Sequence, residues 1–234
     1  MSAPIQNQTS SYWPSPRLYA TQMAAAGCAM VPTYYGYAIK TAQQIGKPLP
    51  PITFETTLRG GFRTAPNIAF TVATQMTVQD IFQKIFSKKT ADPSIPVILG
   101  SSGISGIVCS PLLAGFNGQT MNKPFFESVK STTLKQTIAI SFREASFIAS
   151  VKVNEPLQLI SKRKWGDQKW LAYATAFVSG SLGSIVSHPA DTLLTLLQTE
   201  KPIQISHLMK GHWARTLATG FYVIIFEAIL NERR

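Results

Sequence analysis

Charge is scarce in this chain. Asp, Glu, Lys and Arg make up 14% of its 234 residues, where a typical soluble domain carries about 25%. Acid is scarcer still: 11 acidic residues face 22 basic ones, a formal net charge of +11. Only two cysteines occur, Cys28 and Cys109, both inside apolar stretches, which excludes a disulfide framework and a cysteine-based metal site. The three histidines, His188, His207 and His212, share no metal-ligand spacing. A glycine-rich phosphate loop, a nucleophile elbow and a paired-acid constellation are all missing, so neither an enzyme nor a bound cofactor or metal is expected. No apolar run reaches 20 residues, and mean hydropathy is only +0.08. The first residues, "MSAPIQNQTSSYWPSPR", hold no apolar signal core and are not an Arg-rich amphipathic presequence, so any targeting information is expected to be internal.

What is present is an orderly distribution of cations. Lys47, Arg59, Lys88, Lys89, Lys123, Lys135, Lys162 to Lys164, Lys201 and Lys210 punctuate apolar segments and do not cluster with aromatics. A nucleic-acid partner is therefore not expected. Cations at the ends of apolar segments suit helices crossing a bilayer with anionic lipid. Low overall hydropathy is compatible with that when helices line a water-filled cavity. A soluble, moderately apolar helical protein is the competing reading.

The chain also repeats. Small-residue apolar stretches end in proline three times: "AAAGCAMVP" at Pro32, "GISGIVCSP" at Pro111 and "GSLGSIVSHP" at Pro189, spaced 79 and 78 apart. Lys47-Pro48, Lys123-Pro124 and Lys201-Pro202 follow, spaced 76 and 78 apart. Next come "LRG", "LKQ" and "MKG", then an arginine early in the following apolar segment: Arg63, Arg143 and Arg215. Each unit reads as helix, loop, helix, with kinks expected at Pro32, Pro111 and Pro189. The expected helices are 16–44, 62–87, 94–119, 136–160, 169–199 and 210–231, each long enough to span about 30 Å of hydrocarbon. The organisation expected is an N-terminal tail at 1–15 and repeats at 16–90, 91–165 and 166–234.

Three tandem two-helix repeats with a proline in each odd helix resemble the mitochondrial carrier family. Its signature, P-x-[DE]-x-x-[KR]-x-[KR] with a Gln following, is similar to "PADTLLTLLQ", which keeps Pro189, Asp191 and Gln198 in register. "IVSHPAD" resembles the third repeat of phosphate carriers, and "LRG" and "MKG" resemble the basic-glycine motif before each even helix. The repeats are shorter than the family's usual length, so the short helix joining each pair is expected to be trimmed. The resemblance implies an all-α membrane protein with six transmembrane helices and threefold pseudosymmetry, acting as a monomer in the mitochondrial inner membrane.

It also implies sites. The gate positions after each proline are Tyr34 and Tyr37, Leu113 and Phe116, Asp191 and Leu194: one acid and no base. A salt-bridge ring is not expected there. The gate is expected to be an apolar and aromatic plug, with Asp191 hydrogen-bonded to a tyrosine hydroxyl or to Gln198. The outer gate maps to Gln75, Glu155 and Glu227 with Val78, Gln158 and Leu230 opposite, and Asp80 with Lys84 is an alternative pair. Arg63, Arg143 and Arg215 are expected to converge on a central cavity and bind an anion, since guanidinium forks match phosphate and carboxylate. Anchoring at the membrane edge is the alternative for the same residues. Counted from the glycine marker, the positions become Asn67, Arg143 and Ala218, so Arg143 alone satisfies both counts. Arg59, Gly60, Gly61, Lys210 and Gly211 are expected to hold lipid, cardiolipin in the family; ordinary snorkelling cations are the alternative.

The function expected is alternating-access transport of a small, phosphate-bearing anion, either adenine nucleotide or inorganic phosphate. Two alternatives stand beside it: a carrier-fold receptor or scaffold that does not transport, and a carrier encoded by a pathogen and sent to host mitochondria.

Overall fold

In a computed structural model the chain is described over residues 15–87, 94–152, 154–166 and 168–231. The expected tail at 1–15 therefore lies outside the described residues, except Ser15. Among the described residues every regular element is helical: α1 (Pro16–Ile45), α2 (Gly60–Phe86), α3 (Ile95–Val108), α4 (Ser110–Thr120), α5 (Phe125–Lys130), α6 (Leu134–Lys152), α7 (Asn154–Trp165), α8 (Lys169–Gln198) and α9 (His212–Asn231). Single turns of π-helix at Glu55–Arg59 and of 3-10 helix at Ile205–His207 fill two of the links.

Local chemistry accounts for the ends. Ser15 opens α1 by accepting a bond from the Leu18 N–H (3.2 Å), and Pro16 follows at the first helical position, where its missing donor is harmless. Thr133 and Gln136 open α6 with a reciprocal capping box: Gln136 N–H donates to Thr133 Oγ1 (3.3 Å) and Thr133 N–H to Gln136 Oε1 (3.2 Å). α1, α4 and α8 end alike. A residue with positive φ, Gly46, Asn122 or Glu200, precedes Lys47, Lys123 or Lys201. The amide of each lysine then donates back to Ala42, Gly118 or Leu196 at 2.9–3.0 Å. This is the Schellman closure, and proline at the next position stops the helix.

The prolines behave in two ways. Pro32 and Pro189 lie inside continuous helices. At Pro111 the expected kinked helix is instead two: α3 and α4 meet at Cys109 with a bend of 69°. Proline removes one ladder bond and its ring presses on the carbonyl four residues back; here the chain turns away at Cys109. Pro66, inside α2, is a further interruption. The short joining helix is retained as α5 in the middle unit and reduced to single turns in the other two.

The long helices pack in sequence, α1 on α2, α2 on α3, α3 on α6, α6 on α8 and α8 on α9, and α9 returns to α1 to close a ring. Glycines set the closest approaches. A Cβ on Gly36 of α1 would lie 2.7 Å from the Ala218 Cβ of α9, and one on Gly61 would lie 2.5 Å from the Val31 carbonyl oxygen. Among the described residues two helices, α8 and α9, are long and apolar enough to cross a membrane, or three if α3 and α4 form one bent span. α1, α2 and α6 are long enough but more polar.

Gly46 adopts φ +67° with open space where a Cβ would point, so its requirement is conformational alone. Gly46→Ala is expected to lose about 1 kcal/mol, the cost of an L-residue in the left-handed region, and Glu200→Gly to gain a similar amount. Thermal unfolding of the purified protein in detergent measures both.

Candidate functional site

Five charged side chains meet inside the ring: Lys40 from α1, Arg143 and Glu144 from α6, Asp191 from α8 and Arg215 from α9. All five are buried. Asp191 is the hub. Lys40 Nζ donates to its Oδ2 at 2.8 Å, Arg143 Nη1 approaches Oδ1 at 3.4 Å and Arg215 Nε lies 3.8 Å from Oδ2. Gln44 Nε2 reaches the same Oδ2 (3.4 Å) and donates to Thr192 Oγ1 (2.8 Å). Glu144 is held by Arg143 Nε (2.7 Å) and by Gln75 Nε2 of α2 (2.5 Å). Arg215 Nη1 also donates to the Ser184 carbonyl of α8 (3.0 Å).

A polar belt lies around this hub. Asn117 of α4 donates to Gln198 Oε1 (2.6 Å) and Thr195 Oγ1 (3.3 Å) of α8, and Gln198 Nε2 donates to the Ala114 carbonyl (2.9 Å). Thr41 and Thr120 link α1 to α4 (3.0 Å). The lysines of two Lys-Pro pairs reach neighbouring helix ends: Lys123 Nζ donates to the Gln198 carbonyl (2.7 Å) and Lys201 Nζ to the Ile45 carbonyl. Cations at helix C-termini meet the negative end of the dipole. His188 Nε2 contacts the Lys210 carbonyl at 2.9 Å while Nδ1 is buried without a partner. That geometry assigns the neutral Nε2–H tautomer.

The expectation that the gate holds one acid and no base, with Asp191 bonded to a tyrosine or to Gln198, is therefore corrected: Asp191 has a base in Lys40. Counted from the prolines, the partner position in the first unit is Tyr37; the base in the structure is Lys40, three residues on. α1 holds one more turn between its proline and its cap: Pro32 to Gly46 is 14 residues, whereas Pro111 to Asn122 and Pro189 to Glu200 are 11. Counted back from the caps, Lys40, Phe116 and Leu194 are equivalent. The discrepancy between spacings of 79 and 76 residues was the signal. Asp191 accordingly pairs with cations, not with a tyrosine or Gln198. Tyr37 bonds to Thr219 (3.2 Å) instead, and Gln198 to Asn117. Tyr34, Tyr37 and Phe116 share one apolar cluster, with Tyr37 and Phe116 edge to face at 6.2 Å. Leu113 packs in another with Leu194.

The arginine triplet is corrected in part. Arg143 and Arg215 converge, but Arg63 is exposed and does not join them. It lines an outer cleft of about 720 Å³ with Arg59, Lys47 and Lys123. Asn67 is half-buried on α2 and is not part of the ionic cluster. Gln75 faces inward to Glu144, Glu227 is half-buried on α9, and the side chain of Glu155 lies outside the described residues. Gly60 and Gly61 sit where a Cβ would strike the Tyr34 ring and the Val31 backbone, and Gly211 (φ +78°) lies against the Lys40 backbone. Close helix contact accounts for these three glycines. Arg59 pairs with Glu55 at the surface (2.7 Å), and Lys210 is exposed. Among the described residues no three His, Cys, Asp or Glu side chains are grouped to hold a metal ion.

Compared with known proteins, the chain matches no protein-family model and no curated sequence.

Removing one member of a buried ionic group leaves charge uncompensated, at about 3–5 kcal/mol. Asp191→Asn strips three buried cations of their common carboxylate and is expected to lose that amount. Lys40→Met is expected to lose less, because Asp191 keeps both arginines. Unfolding in detergent orders the two, and wild-type stability of Asp191→Asn would contradict the cluster.

Proposed function

We propose that the chain is a divergent, short-repeat member of the mitochondrial carrier family, a six-span transporter of small phosphate-bearing anions across the mitochondrial inner membrane by alternating access. The observation that carries this reading is the meeting of Arg143 and Arg215, from two different helices, on one carboxylate inside a closed ring. Buried arginines away from water need partners, and here they are aimed at an oxyanion. An alternating-access carrier also needs a closure that can be broken and remade, and the Lys40–Asp191 pair supplies one between α1 and α8.

The distribution of polarity supports a membrane setting. Phe62 and Phe70 of α2, Ile138 and Phe142 of α6, Val178, Leu182 and Val186 of α8, and Trp213, Leu217 and Phe221 of α9 are exposed. Within each helix they recur at spacings that form one outward apolar face. Soluble monomers rarely expose so much contiguous apolar surface. Thr, Ser and Gln side chains are buried instead. The outer cleft with Lys47, Arg59, Arg63 and Lys123 suits an anionic lipid headgroup. One observation favours a second reading: all five members of the cluster are buried, which also suits a receptor or scaffold locked in one state.

Liposomes holding the purified protein, preloaded with nucleotides, phosphate and carboxylates and offered each labelled solute, test the proposal. Saturable uptake of one phosphate-bearing anion is expected. Arg143→Ala, which leaves the buried Glu144 carboxylate with Gln75 alone, is expected to lose about 3–5 kcal/mol of stability, so it is assayed only as protein shown to be folded. Its uptake is expected to fall by roughly 30-fold or more, the equivalent of about 2 kcal/mol or above for a lost buried charge contact. Uptake at the wild-type rate in that variant would remove the arginine site. No uptake of any solute by folded protein would select the scaffold.

A further inference from the structure

The buried cluster does not balance. Lys40, Arg143 and Arg215 stand against Asp191 and Glu144, so three cations face two carboxylates. His188, in its neutral tautomer, adds nothing. Among the described residues of this cluster, one positive charge is left over. An uncompensated buried charge is costly, and proteins resolve it by pairing.

The contacts show where that charge is available. Lys40 to Asp191 (2.8 Å) and Arg143 Nε to Glu144 (2.7 Å) are at the full strength of charge-assisted bonds. The two arginine contacts with Asp191, at 3.4 and 3.8 Å, are longer than such bonds. Arg143 and Arg215 thus present their least engaged edges toward the same carboxylate from opposite sides of α8. An incoming oxyanion can take those edges while Asp191 keeps Lys40.

We infer that this cluster is a receptor for one small oxyanion group of about a single negative charge, seated between Arg143 and Arg215, and that it disfavours polyanions. The inference rests on the anion-carrier reading and narrows it: a nucleotide brings several charges to a site with one to neutralise. Glu144 sets the count, because it already occupies one side of Arg143.

The test uses the full-length purified protein, with thermal stabilisation as a binding readout and liposome exchange as a transport readout. The probes are propionate, inorganic phosphate, succinate and ADP. Propionate is expected to stabilise the wild type at lower concentration than succinate or ADP, and phosphate is expected to bind better at a pH below its second ionisation, where it is a monoanion, than above it. Glu144→Gln, which keeps the size and one oxygen to accept from Arg143 Nε, adds one net positive charge. It is expected to move the succinate-to-propionate preference at least tenfold toward succinate. Glu144→Asp, which keeps the charge, is expected to leave the wild-type preference in place. A wild type that prefers ADP or succinate overturns the inference even if transport is seen. An unchanged preference in Glu144→Gln overturns it as well. Monoanion binding that responds to Glu144→Gln without exchange of any solute supports the receptor and overturns transport alone.

Discussion

Asp191 is the residue on which this arrangement turns. Its carboxylate faces Lys40 from α1, Arg143 from α6 and Arg215 from α9 while sitting on α8 itself, so one side chain ties four of the ring's helices together. The group is fully desolvated, and ion pairs in that setting hold only with good geometry and added hydrogen bonds. Gln44 on Asp191, Asn117 on Lys40 and Gln75 on Glu144 supply them, and Thr192 holds Gln44 in turn. Pro189, two residues earlier, belongs to the same design: it interrupts the α8 ladder beside the residue that α8 contributes to the centre.

The rest of the chain brings these side chains within reach. Four close contacts depend on missing Cβ atoms: Gly36 against Ala218, Gly60 against Tyr34, Gly61 against Val31 and Gly211 against the Lys40 backbone. Small residues at helix contacts let backbones approach where apolar association alone gives little drive. Gly211 stands out, because the backbone it touches carries the lysine that pairs with Asp191. The three matched C-caps end α1, α4 and α8, and Lys123 and Lys201 tether one helix end to the next. Closure is therefore a property of the whole rim.

Helix existence was legible in the sequence because proline, small-residue runs and Lys-Pro stops mark helix ends by local chemistry. α1, α2 and α8 begin and end within about two residues of expectation. The break at Cys109 was not legible, since Pro32, Pro111 and Pro189 look alike as letters and only packing decides whether a proline bends or splits a helix. Arg143 was legible because two independent counts agreed on it. Arg63 was misplaced because it lies one residue off the inward face of α2, which Gly61, Thr64, Ile68, Thr71 and Gln75 occupy, and one residue on a helix is a rotation of about 100°. Lys40 was missed for a related reason: the count was taken from the prolines, whereas the register of the centre follows the C-caps. A three-residue difference between two sets of repeat spacings is close to one helical turn, and it carried the missing base.

Hydropathy separates α1, α2 and α6 from α8 and α9 for a physical reason. Their polar residues, Gln22, Gln44, Thr71, Gln75, Arg143 and Glu144 among them, are buried in the protein while Phe62, Phe70, Ile138 and Phe142 face outward. A window average mixes the two faces. That polar interior holds the ionic cluster, and on the proposed reading site and closure use the same atoms. A ligand that draws Arg143 and Arg215 from Asp191 loosens α6 and α9 from α8 while the Lys40 pair still joins α1 to α8. On the proposed reading, occupation of the centre loosens α6 and α9 and leaves the Lys40–Asp191 closure as a separate step, and the differential contact that shifts the equilibrium is the one the ligand itself makes.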